Sequence, residues 1–261
     1  MSNRSLLKQK IYTSFILMFL LTSFVFSQNK KTTIYLVGDS TMCLYDDSRF
    51  PQAGWGMAFA HFFNHNVQLE NLAKGGRSSK SFLDENRWQP IVDSLKSGDF
   101  VLIQFGHNDS ANSKDHPNRY ASPDDYKKYM GKYISETRSK NASIILITPV
   151  TQRKYDENGE LIKSHEVYCD TVLELGKTYN VPVIDLNTKS HELVENLGTE
   201  FSKNLYMIFE PGEIPQFPKG LEDNTHFNEF GARKMAQIVL HEIIAQQLEL
   251  ANYILEKDLK K

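Results

Sequence analysis

Four short clusters in this chain hold the residue types that acyl transfer requires. Ser40 follows Gly38-Asp39, and a serine hydroxyl becomes a nucleophile when a nearby base takes its proton. Asp223-Asn224-Thr225-His226 puts a carboxylate and an imidazole three residues apart. On a turn, that spacing lets the carboxylate orient its own histidine without a distant partner. Gly75-Gly76 offers a backbone N–H on a tight turn, and Asn108 in Gly106-His107-Asn108-Asp109 offers a side-chain amide. Both suit an oxygen that becomes negative during attack on a carbonyl. Each cluster alone has an ordinary role: a helix cap at Ser40 or Thr41, a glycine turn, a polar loop, a chance D-x-x-H. Together and in order they supply a nucleophile, a base with its carboxylate, and oxyanion donors.

Such residues converge only if a sheet delivers them to one edge. Residues 33–37, 67–73, 100–105, 143–150 and 181–186 are predicted strands. Phe100-Val101-Leu102-Ile103 and Ile144-Ile145-Leu146-Ile147 are apolar without alternation, as strands buried on both faces are. Helices are expected at 56–64, 123–139, 164–179, 188–197 and 229–251, with Ser122 as an N-cap and Pro123 at the first helical position. Strands alternating with helices predict one three-layer α/β domain with a parallel sheet and right-handed crossovers. Ser40, Gly76 and Asn108 then follow the carboxyl ends of three strands, where ligand crevices form. A helix starting just after Ser40 would add its N-terminal N–H groups around the hydroxyl. Two segments fall outside this scheme: 153–163, with the hairpin signal Asn158-Gly159, and 209–220, a loop with three prolines and two glycines.

The chain has 261 residues, of which 40% are hydrophobic and 24% charged, which excludes a disordered, collagen-like or disulfide-framework protein. Its 30 basic and 32 acidic side chains give a net charge of -2, so no basic excess marks a nucleic-acid partner. Arg4, Lys8 and Lys10 precede an apolar run over 11–26 and then Ser27, the pattern of a secretory signal over 1–27. The run is short for a span of ~20 residues, so cleavage before Gln28 is preferred to a retained membrane anchor. No cysteine follows it to accept a lipid, so the mature chain, 28–261, is expected to be exported, periplasmic or extracellular, with no stable membrane insertion. Export permits a disulfide between Cys43 and Cys169, although two buried free thiols are the plainer reading.

Gly38-Asp39-Ser40-Thr41, Gly76-Arg77-Ser78, Gly106-His107-Asn108-Asp109 and Asp223-Asn224-Thr225-His226-Phe227 together resemble the four blocks of the SGNH (GDSL-type) hydrolases. Within that superfamily the chain is similar to the rhamnogalacturonan acetylesterases. The resemblance implies a flavodoxin-like α/β/α sandwich of five parallel strands and a single esterase domain over 28–261. It implies Ser40 as nucleophile, His226 as base and Asp223 as its orienting carboxylate. The N–H groups of Ser40 and Gly76 and the Asn108 amide would form the oxyanion hole, with Gly76 small enough for its backbone to approach. The implied partner is an acetylated polysaccharide or oligosaccharide of acidic plant cell-wall type, and no cofactor or metal is expected. Acetylxylan or another O-acetylated glycan is the nearby alternative.

A metal-dependent phosphoesterase is the alternative from another class, since Gly106-His107-Asn108-Asp109 is a scrambled form of a metallophosphoesterase block. No Asp-x-His pair follows the first strand to support it. Among candidate substrate contacts, Trp55 reads either as a sugar-stacking wall or as a core aromatic. Arg77, Lys80, Arg49 and Arg153 read as uronate-binding cations or as solvated rim charges, with Arg77 favoured because it adjoins Gly76. Asp39 is expected to order its turn and His107 to be a satisfied loop histidine. The other histidines are read as surface or structural. Oligomeric state has no signal in the sequence.

Overall fold

A computed structural model describes residues 31–255; the expected signal segment at 1–27 lies outside them. The non-alternating apolar runs become strands β1 (Thr32–Gly38), β2 (Val67–Asn71), β3 (Phe100–Gln104), β4 (Ser143–Ile147) and β5 (Val183–Ile184). All neighbours pair in parallel, in the order β2-β1-β3-β4-β5. Successive side chains of a strand face opposite sides, and here both sides are core. Ile34, Leu36, Leu102, Ile145 and Ile147 enter one apolar cluster, while Tyr35, Val37, Val101, Ile103, Ile144 and Leu146 enter the other.

Helices α1 (Trp55–Phe59), α6 (Leu186–Phe201) and α7 (Glu229–Ala245) cover the first face. The second is covered by α2 (Ser79–Asp84), α3 (Gln89–Ser94), α4 (Pro123–Ser139) and α5 (Glu166–Tyr179). The five-stranded parallel sandwich expected from the sequence is therefore present. Helix α4 has the predicted bounds, and Ser122 Oγ accepts the Asp125 N–H at 3.2 Å as its cap. Helix α6 begins earlier than predicted because Asp185 accepts the Thr188 N–H and caps it. Helix α7 ends earlier because Gln247 takes a left-handed φ of 53°, after which residues Glu249–Tyr253 form a 3-10 turn.

Helices α2 and α3 were not anticipated; at six residues each they are too short to display a helical period. Ser78 and Ser81 cap α2 reciprocally through a capping box. A second, two-stranded antiparallel sheet, β6 (Tyr206–Phe209) with β7 (Leu221–Phe227), stands outside the predicted strands, and the proline-rich segment is the connection between its strands. The Asn158-Gly159 signal is met by a turn closed by one bridge, Tyr155 to Leu161, with Gly159 at a φ of 80°. Cys43 and Cys169 are free and buried, and burial pushes both thiols upward in pKa. Among the described residues no helix is long and apolar enough to cross a membrane.

Candidate active site

Ser40 lies in the turn that leaves β1, and that turn is held from below. Asp39 Oδ1 accepts both the N–H and the hydroxyl of Thr41, at 2.9 and 2.8 Å. The Thr41 hydroxyl in turn accepts Gln104 Nε2 at 2.6 Å, and Gln104 Oε1 accepts the indole N–H of Trp55 at 2.9 Å. Trp55 is fully buried, so it is the far end of this chain and not a wall for a sugar. The helix expected after Ser40 does not start there. Only a single turn forms, with Met42 and Cys43 donating to the Asp39 carbonyl, and α1 begins at Trp55. The hydroxyl therefore receives no helix-terminal N–H groups.

His226 Nε2 lies 2.9 Å from Ser40 Oγ, and His226 Nδ1 lies 2.7 Å from Asp223 Oδ2. Asp223 Oδ1 also accepts the backbone N–H groups of Thr225 and His226, at 2.9 and 3.0 Å. Partial burial pushes the Asp223 carboxyl upward, but the His226 ring N–H, the backbone donors and the nearby imidazole outweigh it. The carboxyl stays below its ordinary range and ionised. An ionised acceptor places the ring proton on Nδ1, which leaves Nε2 free to take a proton from Ser40.

Asp223 and His226 sit on β7, not on a turn before α7. A regular strand would point residues three apart to opposite faces. The ladder slips here instead: Tyr206 pairs with Phe227 while Met207 pairs with Asp223, so residues 224–226 bulge out of register. Two side chains brace the bulge. Gln152 Nε2 donates to Thr225 Oγ1 at 2.9 Å, and Arg153 Nη1 donates to Asn224 Oδ1 at 2.6 Å. Arg153 is buried, and its remaining groups bond Ser202 Oγ and the Thr199 carbonyl. It is thus committed to the fold and does not face a uronate. Nothing local in the sequence marks Gln152 or Arg153 as braces, because their partners lie some seventy residues away.

The remaining predicted residues meet at the same sheet edge. The N–H groups of Ser40 and Gly76 have no protein acceptor among the described residues. Gly76 has a φ of 77°, which glycine adopts readily, while the nearest atom to an added Cβ would be 3.8 Å away. The backbone conformation at this position therefore favours glycine, and a side chain would meet no close protein atom. Asn108 Nδ2 donates to the Arg77 carbonyl at 3.0 Å, and Asn108 Oδ1 accepts Arg119 Nη1 at 3.2 Å.

The Arg77 guanidinium is held by Glu85, at 3.0 Å, and by the Gly75 carbonyl, at 2.9 Å, so it is not a free cation for substrate. His107 is not a satisfied loop histidine. Neither ring nitrogen has a hydrogen bond, its Nδ1 lies 3.4 Å from Asp39 Oδ2, and its ring packs on His165 with centroids 4.3 Å apart. The 3.4 Å approach is an electrostatic contact. Burial pushes the Asp39 carboxyl up, but His107 together with the Thr41 donors holds it below its ordinary range. Burial pushes His165 down to about 3, aided by His107.

A family model for GDSL-like lipases and acylhydrolases matches residues 34–239. The chain belongs to that family. It is 38% identical over 232 residues to a rhamnogalacturonan acetylesterase of Bacillus subtilis (strain 168), covering 89% of this chain and 98% of the relative. A rhamnogalacturonan acetylesterase of Emericella nidulans is 27% identical, covering 87% of this chain and 90% of the relative. Among solved structures, the Bacillus subtilis protein YxiM superposes with a TM-score of 0.71 at 29% identity, covering 84% of this chain and 58% of that longer one. An acetylxylan esterase of Geobacillus stearothermophilus, a catalytic mutant in its crystal, has a TM-score of 0.58 at 19% identity, covering 81% of this chain and 94% of its own, a likeness of fold alone. Nothing in the family match or these relatives supports a metal-dependent phosphoesterase. Among the described residues no three His, Cys, Asp or Glu side chains group as a metal site.

Proposed function

We propose that this protein is an exported serine acetylesterase that removes O-acetyl groups from an acidic plant cell-wall polysaccharide of rhamnogalacturonan type. One observation carries the chemistry: Ser40, His226 and Asp223 form an unbroken chain of contacts at 2.9 and 2.7 Å. The relatives that cover nearly the whole chain are named for that substrate, which supports the polymer assignment. Export rests on the basic and apolar pattern of residues 1–27 and on the size of such a polymer, which cannot enter a cell intact.

In this reaction Ser40 Oγ attacks the acetyl carbonyl as His226 Nε2 takes the hydroxyl proton. Asp223 stabilises the imidazolium through Nδ1. The carbonyl oxygen, now negative, is held by the N–H groups of Ser40 and Gly76 and by the Asn108 amide, where each donor is worth ~10²–10³ in rate. The C–O bond to the sugar breaks, His226 returns the proton to the sugar oxygen, and Ser40 is left acetylated. Water deprotonated by the same imidazole then releases acetate.

The deciding experiment measures acetate released by wild type and Ser40→Ala from acetylated pectic, xylan and lipid esters. Wild type is expected to favour the pectic polymer, and the variant to be inactive on all three with nearly unchanged thermal unfolding. Retained turnover in the variant removes Ser40 from the reaction, and preference for xylan or lipid overturns the substrate.

A further inference from the structure

Arg77 and Arg153, two cations that the sequence brings to notice, are committed to Glu85 and to the β7 bulge. Arg119 is placed differently. It lies on the polar connection that follows β3, and that connection is stapled down. Lys80 Nζ donates to the Pro117 carbonyl at 3.0 Å, and the Tyr168 hydroxyl bonds the carbonyls of Asp109 and Ala121, at 3.0 and 2.8 Å. From this fixed base the half-buried Arg119 reaches back to the site. Its Nη1 donates to Asn108 Oδ1 at 3.2 Å and is the nearest group to the space beside Gly76, 3.8 Å from where a Cβ would stand.

The contact with Asn108 has a direct consequence. With Oδ1 tied to Arg119 and one Nδ2 hydrogen tied to the Arg77 carbonyl, the amide cannot flip. Its second Nδ2 hydrogen remains for the oxyanion. Arg119 itself is left with most of its donors unused. A guanidinium has five N–H groups, and here a single side-chain bond, to a neutral amide, is made. Among the described residues no carboxylate forms an ion pair with it. A partly desolvated planar cation with its fork open matches a carboxylate in bidentate geometry.

We propose that Arg119 binds a carboxylate of the substrate, located on the sugar that bears the scissile acetyl group or on its immediate neighbour, and that the same guanidinium positions Asn108. The location follows from reach: a group touching the amide at the oxyanion position can meet only what lies within about one sugar ring of the ester. This inference rests on the esterase reading above and assigns to Arg119 the recognition of that acidic substrate's carboxylate.

The test uses a neutral aryl acetate, an O-acetylated uronate-containing oligosaccharide, and the same oligosaccharide with its carboxyls reduced to alcohols. For wild type, reduction is expected to raise KM about tenfold, the factor a charge-assisted bond supplies. Arg119→Gln should remove that ratio and lower kcat on all three substrates by a common factor, since Asn108 loses its tether. Arg119→Lys should restore part of the KM ratio, having the charge, without restoring kcat. Equal KM values for the acidic and reduced glycans in wild type would overturn the proposal with no variant needed. A KM ratio that survives Arg119→Gln would overturn it as well, leaving Arg119 with Asn108 alone. Wild type inactive even on the aryl acetate would instead reject the esterase reading itself.

Discussion

Three carboxylates beside the site share one pressure and respond differently. Burial drives each toward its neutral form. For Asp223 the His226 ring and two backbone N–H groups prevail, and for Asp39 His107 with the Thr41 donors prevails, so both stay below the ordinary range. For Asp109 burial wins over the Ser79 N–H and hydroxyl, and its carboxyl is pushed up to about 7. The consequences for stability have opposite signs. What Asp39 and Asp223 contribute is present at neutral pH and lost in acid, as pH falls through their depressed folded values. Asp109 keeps a proton in the folded chain that the unfolded chain has released, so stability declines as pH rises from ~4 to about 7, by up to about 4 kcal/mol. Asp109→Asn, which still accepts the Ser79 N–H, should remove that decline. Thermal unfolding followed from pH 4 to 8 should show wild type losing ground to the variant across the window, and parallel curves would show that Asp109 is ionised throughout. The surroundings of His107, Trp55 and Arg77 are set by a buried partner or a nearby carboxylate that no local pattern in the sequence shows.

The decisive element is the bulge of β7. Without the register slip opposite Tyr206 and Met207, Asp223 and His226 would project from opposite faces and the imidazole would lose its orienting carboxylate. Arg153 braces this slip through both its backbone N–H, to the Asn224 carbonyl at 2.9 Å, and its guanidinium. Arg153→Met should lower kcat at least ~10-fold, as the imidazole is no longer held in line, with KM for a small ester little changed. It should also lower the unfolding midpoint, because Asn224, Ser202 and Thr199 lose buried partners. A variant that loses stability but retains full kcat would show the brace to be structural only. The strands and α4 were legible because apolar runs and a Ser-Pro cap act within a few residues. The hairpin was not, because a slipped ladder depends on which strand lies opposite.

At the scale of the molecule, one sheet and one hairpin each supply part of the site. Ser40, Gly76 and Asn108 follow β1, β2 and β3, and β1 lies between the other two, where the strand order reverses. Asp223 and His226 arrive on the separate β6–β7 sheet, which is tied in by the bridge from Gln52 to Asn228 and by Ala53 N–H on the Phe227 carbonyl at 3.0 Å. Gly231 lets α7 pack here, since a Cβ would sit 1.9 Å from the Leu205 carbonyl oxygen. In the proposed mechanism the nucleophile is activated by His226 and Asp223, so dialysis against EDTA should leave the rate on an aryl acetate unchanged. Loss of activity restored by a divalent metal would contradict the mechanism. The order of the four blocks and the buried strands were determined by the sequence alone, since each is written in residue types and spacings that act locally, and the proposed nucleophile, base and carboxylate were named from those same blocks. Which arginine is spent on the fold and which is left open to a ligand was decided only in three dimensions. A cation's availability depends on the partners that tertiary packing brings within hydrogen-bond reach, and those lie tens of residues away along the chain.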